Sequence, residues 1–393
     1  MRILFFVHYF PPAKFAASVN TYEIVRRLAD RGHEIIVLSQ PTFSMQTAQG
    51  GKKNILGGTW PTNIKVYTSI PSPLPLSVTI PHFLNAFKSL RHDYDLAITQ
   101  FHPFHCASYA GFFVKTFKKK PWIVKVQDIV LDPSIPTPFI EKIFTYSCYN
   151  LFLNFLGKNA DRLLVTTNEL REFLKEKGYS SEKALVMPHG VDTRLFSPPR
   201  QKQETDFNKS FLYVGAMRPQ YGLEKLIKAS TVFRHDKEFE LVMIGDGSER
   251  PYLMELTRKL KLQSKVVFYN YVPHKLLPKF IRHAYATLGP LRACLPNYYT
   301  LPTKILEYFA CGKTTLSTRV SEDILQDGRT GIVLKSTTVK SITDALVMLM
   351  EDEKLIMTLG KNAFRLVSEK FDWKKIIDQF EKEIISVESL KYH

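Results

Sequence analysis

Cysteines are few in this chain of 393 residues, and they lie far apart in the sequence. The four are Cys106, Cys148, Cys294 and Cys311. No two of them form a CxxC pair, and none has the histidine or cysteine spacing of a zinc site. The pattern argues against a disulfide-stabilised secreted domain. It indicates a reducing compartment, the cytosol, and no bound metal.

Long hydrophobic runs are also missing. The longest apolar stretch, at 143–157, is interrupted by two asparagines and flanked by lysines, and it falls short of the roughly 20 residues that span a bilayer. The first residues, "MRILFFVHYFPPAKF", lack a basic leader and a small-residue cleavage site, so a strand is the better interpretation. We therefore expect a protein that is neither exported nor membrane-spanning.

Acidic residues are in deficit. The chain has 37 Asp and Glu against 54 Lys and Arg, which gives a formal net charge of +17. This excess favours an acidic partner: nucleic acid, an anionic membrane surface or a phosphorylated small molecule. No RNP-type, helix-turn-helix or zinc signature accompanies it, so nucleic acid is the least supported of the three.

Short apolar runs of strand length alternate with helical patterns through the first half of the chain. The first two runs are "ILFFVH" at 3–8 and "EIIVLS" at 34–39. Between them, four apolar residues share one face of a helix that Gly32 ends: Tyr22, Val25, Leu28 and Ala29. Later runs begin at residues 96, 122 and 162. The alternation predicts a doubly wound parallel sheet.

The same alternation restarts after a polar, proline-containing stretch at 187–210, which we interpret as a linker. Length also favours two domains, because one core of this size is unusual. The sequence predicts a first domain at 1–190 and a second at 205–368. A final amphipathic helix within 369–393 is expected to pack back on the first domain.

Ligands of doubly wound sheets bind outside the carboxyl ends of the strands, so the loops there are the candidates. The first loop, at 9–18, lacks GxGxxG, which argues against a dinucleotide-dependent oxidoreductase. "GAMRPQYG" at 215–222 carries Arg218, whose planar guanidinium suits a phosphate. "GDG" at 245–247 is consistent with a plain tight turn as well as with a site.

"LPTKILEYFACGK" at 301–313 is the most informative stretch. Pro302 fits the first turn of a helix and Gly312 the position past its end. Lys304 and Glu307 share one face, so an exposed i,i+3 ion pair is one interpretation. The other is an anion site at the helix N-terminus, with Lys304 on a phosphate and Glu307 on a ribose.

The order of these segments resembles the retaining GT-B glycosyltransferases of family 4. The matching segments are "YFPPAKFAAS…EIIVLS", "MPHGVDTRLFSP", "LYVGAMRPQYGLEKLIKA", "LVMIGDGSER", "VVFYNYVP" and "LPTKILEYFACGK". The resemblance implies two facing Rossmann-like domains and no obligatory metal or cofactor. It also implies a UDP- or GDP-linked sugar donor in the second domain and an acceptor held mainly by the first.

The resemblance also implies roles for particular residues. The expected donor-binding residues are Gly215, Gly245, Tyr299, Thr300, Leu301 and Glu307. The expected catalytic residues are Arg218, Lys304, Gln127 and Asp128. The expected acceptor or first-loop residues are Phe15, Ala16 and His102.

Several positions depart from the family pattern. Ala216 and Tyr221 replace the family's phosphate-binding arginine or lysine, which leaves Arg218 as the substitute. Tyr299 stands where the family often has a glutamate, and Gln127 stands where it has a histidine. Phe15 and Ala16 replace the paired glycines of the first loop.

The basic excess suggests a membrane partner. "VKTFKKKPWIVK" places Lys115, Lys118, Lys119 and Lys120 near the aromatic-rich stretch 139–156. Solvated lysines flanking a core helix are one interpretation. We expect instead peripheral association with the inner face of the cell membrane and a lipid-linked or glycan acceptor. The alternatives are a sugar-nucleotide epimerase of the same fold, a non-catalytic family member and a basic nucleic-acid-binding protein.

Overall fold

The computed structural model describes most of the chain, and its description covers these residues: 1–7, 10, 16–39, 61–68, 87, 89–101, 107–127, 153–178, 183–199 and 209–389. Among them, the chain divides into two compact units. One unit comprises the chain up to Pro188 together with the residues from Lys374 onward, and the other runs from His189 to Trp373. Phe15, His102 and Asp128, three of the predicted site residues, lie outside the described residues.

The first unit is built on a parallel sheet, seven strands of which are described. Its strands are β1 Arg2–Val7, β2 Glu34–Ser39, β3 Ile64–Thr68, β4 Leu96–Phe101, β5 Trp122–Val126, β6 Arg162–Val165 and β7 Ala184–Val186. Their order is β3-β2-β1-β4-β5-β6-β7. The central strands are buried on both faces, which is why they are continuous apolar runs in the sequence.

Helices connect these strands, as parallel pairing requires. They include α1 Ala16–Asp30, α2 Ala107–Lys118 and α3 Asn168–Glu176. All four apolar residues predicted for one face of α1 are buried. Gly32, just beyond that helix, has φ +90°, a left-handed conformation that glycine adopts without steric cost.

The second unit repeats this plan with a six-stranded parallel sheet in the described part of the chain. Its strands are β8 Lys209–Val214, β9 Phe239–Ile244, β10 Val266–Tyr269, β11 Ala286–Leu288, β12 Thr315–Ser317 and β13 Gly331–Val333. The order β10-β9-β8-β11-β12-β13 is that of a Rossmann sheet, whose topological switch point lies between β8 and β11. The predicted α/β class is thus confirmed in both units.

Seven helices of the second unit follow its strands or extend the connections between them. They are α4 Leu223–Ala229, α5 Arg250–Lys259, α6 Leu277–His283, α7 Leu295–Tyr299, α8 Thr303–Ala310, α9 Val339–Glu351 and α10 Glu353–Lys370. Helix α10 packs closely against the end of α8 at Gly360. A Cβ at that position would lie 2.2 Å from the carbonyl oxygen of Gly312, so only a glycine allows the two backbones to come this close. That contact helps to fix α8, the helix predicted from residues 301–313.

The last helix, α11 Trp373–Ser389, returns to the first unit. Its buried stripe consists of Trp373, Ile376, Ile377, Phe380, Ile384 and Val387. Polar contacts reinforce the packing, since Glu381 accepts from Arg31 at 2.6 Å and its other oxygen lies 2.7 Å from His33 Nε2. Arg162 also donates to Glu383 at 2.6 Å. In the described part of the chain, no helix has the length and apolar character to cross a membrane.

The interpretation of 187–210 as a linker is wrong for the described residues from 189 to 199. Val191 and Phe196 of that segment are buried in the core of the second unit. The backbone N–H of Val191 also donates to the carbonyl of Phe371 at 2.8 Å. The segment looks polar in the sequence because its buried apolar residues are isolated and follow no helical or strand period.

Candidate functional site

Two loops meet at the carboxyl edge of the second sheet, one after β8 and one after β9. The N–H of Gly215 donates to the carbonyl of Ile244 at 2.9 Å, and that of Met217 donates to Asp246 at 2.8 Å. The N–H of Glu249 returns to the carbonyl of Met217 at 3.0 Å. These backbone bonds hold the two glycine-containing loops together as one surface beside the switch point.

Glycine is required at three places in this surface. Gly215, Gly245 and Gly247 have φ values of +143°, +138° and +155°, which side chains rarely adopt. A Cβ at Gly245 would lie 2.1 Å from the carbonyl oxygen of Gly215, and one at Gly247 would lie 2.3 Å from that of Met217. A Cβ at Gly215 would lie 2.7 Å from Lys304 Nζ. The glycines therefore let both the second loop and the lysine approach the first loop closely.

Helix α8 points its N-terminus at this surface. The helix begins at Thr303, so Pro302 is the N-cap and lies one position before the predicted first turn. Within the described part of the chain no side chain caps this end. The N–H groups of Thr303 and Lys304 precede the first intrahelical bonds, so the positive end of the helix dipole remains open to an anion.

A hydrogen bond from strand β8 positions α8. The backbone N–H of Val214 donates to the hydroxyl of Tyr308 at 2.8 Å. Tyr308 lies one turn after Lys304 and is fully buried, so it fixes the helix relative to the end of β8. This bond helps to place Lys304 beside Gly215.

The ammonium of Lys304 lies between two tyrosine rings. Lys304 Nζ donates to the Tyr213 hydroxyl at 3.1 Å. It lies 4.2 Å from the centroid of the Tyr213 ring and 4.7 Å from that of Tyr221. No carboxylate among the described residues lies within ion-pair distance of it, so the interpretation of Lys304 and Glu307 as an exposed ion pair is wrong.

Burial lowers the pKa of Lys304 to about 7, although the charge of Glu307 acts in the opposite direction. The cation–π contacts compensate part of the lost hydration. The rest of the desolvation free energy is uncompensated, because the ammonium has no described counter-ion. An anionic ligand would offset this cost. The arrangement therefore has the chemistry that an anion site with a single central lysine requires.

The structure places the other cations of this region at the edge of the first loop. Arg218 is exposed, with an extended backbone just before the turn at Pro219–Tyr221. Arg292, which the sequence analysis did not identify, donates to the carbonyl of Pro219 at 3.2 Å. The sequence feature that could have identified Arg292 is its position: a basic residue shortly after strand β11, in a loop at the same edge of the sheet.

Glu307 lies one turn further into α8. Its Oε1 is 2.7 Å from Nε2 of His274, a residue that the sequence analysis also did not identify. His274 begins a short turn after strand β10. The sequence feature that could have identified it is again a titratable residue just after a strand, at the carboxyl edge of the sheet. Burial alone would lower the pKa of His274, but the hydrogen bond and charge of Glu307 raise it.

The residues just before α8 have mixed exposure. The ring of Tyr299 packs 4.9 Å from that of Tyr298, and the hydroxyl of Thr300 donates to the carbonyl of Asn297 at 3.2 Å. Leu301 is buried in the core. Leu301 therefore presents only its backbone to a ligand, whereas Tyr299 and Thr300 are partly exposed.

In the first unit, Gln127 directly follows β5 and is buried. Its Oε1 accepts from Gln100 at 2.6 Å, and its carbonyl accepts from the Thr166 hydroxyl at 3.0 Å. Its buried Nε2 has no hydrogen-bond partner among the described residues. Gln127 is thus held rigidly, and its side-chain N–H donor is still available.

Ala16, a predicted residue of the first loop, is the first residue of α1.

Two family models match the chain, one to each half. The model described as Glycosyltransferase Family 4 matches residues 17–195, and that described as Glycosyl transferases group 1 matches residues 198–366. An uncharacterized glycosyltransferase of Methanocaldococcus jannaschii is 21% identical over 402 residues, which cover 97% of each chain.

One further relative and one solved structure extend this comparison. A GDP-mannose-dependent alpha-(1-6)-phosphatidylinositol monomannoside mannosyltransferase of Mycolicibacterium smegmatis is 24% identical over 233 residues, covering 56% of this chain and 60% of that one. The crystal structure of Anabaena HepE in complex with UDP aligns with a TM-score of 0.76 at 17% identity, covering 98% of this chain and 100% of that one.

The chain folds into two Rossmann-like α/β units, and solved GT-B glycosyltransferase structures align with nearly its whole length. It therefore has the GT-B fold. The chain belongs to the group 1 glycosyltransferases, family 4, and is a transferase enzyme.

The lowered pKa of Lys304 can be measured without a ligand. After reductive methylation with ¹³C-formaldehyde, one dimethyl-lysine NMR signal should titrate with a pKa of about 7, whereas an ordinary lysine titrates near 10.4. That signal should be missing from Lys304→Met, which keeps the length of the side chain without its charge. If all the lysine signals titrate above pH 9.5, so that only the N-terminal α-amine titrates at about 8, the lowered pKa of Lys304 is contradicted.

Proposed function

We propose that the protein transfers a sugar from a nucleotide-diphosphate donor, UDP- or GDP-linked, with retention of configuration and without a metal ion. The observation that carries this proposal is Lys304. Its half-buried ammonium has no carboxylate partner among the described residues, and it lies beside Gly215 of the first loop, on a helix whose N-terminus no described side chain caps. A diphosphate supplies the missing negative charge.

The relatives support this donor class. HepE was crystallised with UDP, and the Mycolicibacterium relative is named for GDP-mannose. The proposed contacts follow the order of a nucleotide sugar. The diphosphate binds at Lys304 and the start of α8, and the ribose hydroxyls bind the carboxylate of Glu307 one turn deeper. Gly215 and Gly245 let the donor approach the loop backbones closely.

The proposed reaction takes place on one face of the sugar. The bond between the anomeric carbon and the diphosphate oxygen breaks, and a bond to the acceptor oxygen forms on the same side. The acceptor proton passes to the leaving diphosphate. The main contribution of the protein is electrostatic, because Lys304, Arg218 and the N-terminus of α8 stabilise the charge that develops on the diphosphate.

The cation at the diphosphate comes from a different position than in the family pattern. Where family members carry a basic residue in the first loop, this chain has Ala216 and Tyr221. The ammonium of Lys304 lies 4.7 Å from the ring of Tyr221. The lysine of α8 therefore brings its charge to the side chain that replaces the family's cation. We propose that this charge replaces the missing one, with Arg218 in a peripheral role.

Residues of the first unit complete the proposal. Gln127, with its available amide donor, and Asp128 are proposed to contact the transferred sugar or the acceptor. Ala16, Phe15 and His102 keep their proposed place near the acceptor. Tyr299, Thr300 and the backbone of Leu301 are proposed to line the donor site.

Replacement of Lys304 tests the central contact. Lys304→Ala should lower kcat/KM for the donor by at least about tenfold, the cost of one charge contact. In that background, Tyr221→Lys should recover about threefold or more, because it returns an ammonium to the same place. Transfer is measured with EDTA present, since the proposal includes metal independence.

The control for this test is Lys228→Ala, which removes an exposed charge from the same unit and should leave the rate unchanged. Full activity of Lys304→Ala would contradict the proposal. Complete loss of transfer in EDTA by the unmodified protein would contradict its metal independence.

The acceptor is proposed to be lipid-linked and the protein to bind an anionic membrane surface. The observation in favour is a cluster of phenylalanines on and beside α2. Phe117 is 65% exposed, its ring lies 4.3 Å from that of Phe113, and that ring lies 5.3 Å from Phe87. Three lysines follow at 118–120, where no described acidic side chain forms an ion pair with them. Exposed aromatics next to lysines suit a bilayer interface.

One of the lysines predicted for this surface has another role. Lys115 donates to Asp161 at 2.6 Å and to the carbonyl of Asn159 at 2.7 Å. This ion pair ties α2 to the start of strand β6. The expectation that Lys115 faces a membrane is therefore wrong, and the proposed surface consists of Phe117 and the lysines after it.

Liposome binding tests this surface. Phe117→Ser with Lys119→Gln should lower partitioning onto vesicles of phosphatidylcholine and phosphatidylglycerol by about tenfold at low salt, because both the aromatic insertion and the charge attraction weaken. The matched control is Tyr252→Ser with Lys261→Gln. Tyr252 is 49% exposed, and Lys261, like Lys119, has a positive φ. Equal binding of both double variants would contradict the proposed surface.

A further inference from the structure

Glu307 is held by a residue from another element. Its side chain is 16% exposed, and its Oε1 lies 2.7 Å from Nε2 of His274. His274 is 33 positions earlier in the sequence, at the start of the turn after β10. A half-buried carboxylate at a proposed ribose site thus already has one fixed partner before any donor binds.

His274 is itself constrained on both sides. Its ring lies 5.0 Å from the ring of Phe196, which is buried in the core of the second unit. The turn that carries it is closed by a bond from the N–H of Leu276 to the carbonyl of Pro273 at 2.8 Å. The side chain of His274 nevertheless remains 42% exposed, so one edge of the imidazole faces solvent. Such a residue can orient a neighbour without enclosing it.

Two described carboxylates act on this imidazole. Glu307 on α8 contacts it, and Asp192 from the segment before β8 adds a second negative charge. Arg282 of α6 donates to the carbonyls of Leu195 and Ser197, on either side of Phe196 in the sequence. The two carboxylates raise the pKa of His274, so they favour the protonated imidazole that donates to Glu307.

The hydrogen-bonding capacity of the carboxylate makes the contact useful. Two carboxylate oxygens can accept about four hydrogen bonds, and His274 uses one of them. The remaining positions can accept both hydroxyls of a vicinal diol. Without His274, the terminal torsion of Glu307 would be broad, and the donor would have to order it on binding.

We propose that His274 is a positioning residue for the donor nucleoside: it fixes the carboxylate of Glu307 so that both ribose hydroxyls can bind it. This inference rests on the proposed function, because it assumes that a nucleoside diphosphate occupies the site. His274 acts through Glu307 and makes no contact with the diphosphate, which is the task of Lys304. The two residues should therefore affect different parts of the same ligand.

Two probes distinguish the diphosphate contact from the ribose contact. One is inorganic pyrophosphate, which lacks a ribose. The other is UDP or GDP, whichever binds the unmodified protein more tightly. His274→Phe keeps an aromatic ring against Phe196 but removes the donor. It should raise the Kd of the nucleotide about tenfold, which is the effect of a lost hydrogen bond to a charged group, and leave that of pyrophosphate within about twofold. His274→Gln, which retains a donor, should stay within about threefold of the unmodified protein for both. Lys304→Met should instead weaken both probes.

Glu307→Ala provides the coupling control, because it removes the group that His274 is proposed to orient, and a positioning residue has no effect once its target is gone. In that background His274→Phe should change nucleotide affinity by less than twofold. Equal affinity of His274→Phe and the unmodified protein for the nucleotide would overturn the inference, as would an equal loss for both probes. If neither UDP nor GDP binds the unmodified protein, the proposed function fails instead.

Discussion

The ammonium of Lys304 lies beside the loop after β8, and no carboxylate among the described residues is close enough to neutralise it. The lysine can reach this place because residue 215 has no side chain, since a Cβ there would lie 2.7 Å from its Nζ. The helix that carries the lysine is fixed by the bond between Val214 and Tyr308 and by the close packing at Gly360. Taking a charge partly out of water is unfavourable, and two tyrosine rings offset only part of that cost. In the proposed function, the diphosphate of the donor supplies the missing negative charge.

Each unit follows the Rossmann order, and this order explains why the chemistry falls where it does. Parallel strands end at one edge, so residues far apart in the sequence meet there. The loop after β8, the loop after β9 and the N-terminus of α8 supply glycines, a cation and free N–H groups to one surface. Family membership fixes the fold and the class of reaction. We propose that Lys304 of α8, beside Tyr221 of the first loop, supplies the main positive charge at the diphosphate.

Much of the fold could be predicted from the sequence, because regular apolar patterns mark buried strands and helices. Residues that follow no such pattern could not be placed. Strands buried on both faces are continuous apolar runs, so β1, β2, β4 and β5 were predicted to within a residue or two. Lys304 and Glu307 stood out because two charges interrupt an apolar helix. His274 and Arg292 did not, because each is a single polar residue in a loop, and only the sheet topology brings them to the site. The segment after residue 188 was misread because isolated buried residues such as Phe196 have no period. The role of Lys115 was misread because its partner, Asp161, is distant in the sequence.

A crystal structure with the bound donor tests the central claim most directly. We expect one oxygen of the diphosphate to lie within hydrogen-bond distance of Lys304 Nζ, at about 2.7–3.0 Å. We also expect the ribose hydroxyls to lie at the carboxylate of Glu307. A diphosphate bound elsewhere, with Lys304 still between its two tyrosine rings and no anion beside it, would contradict the account.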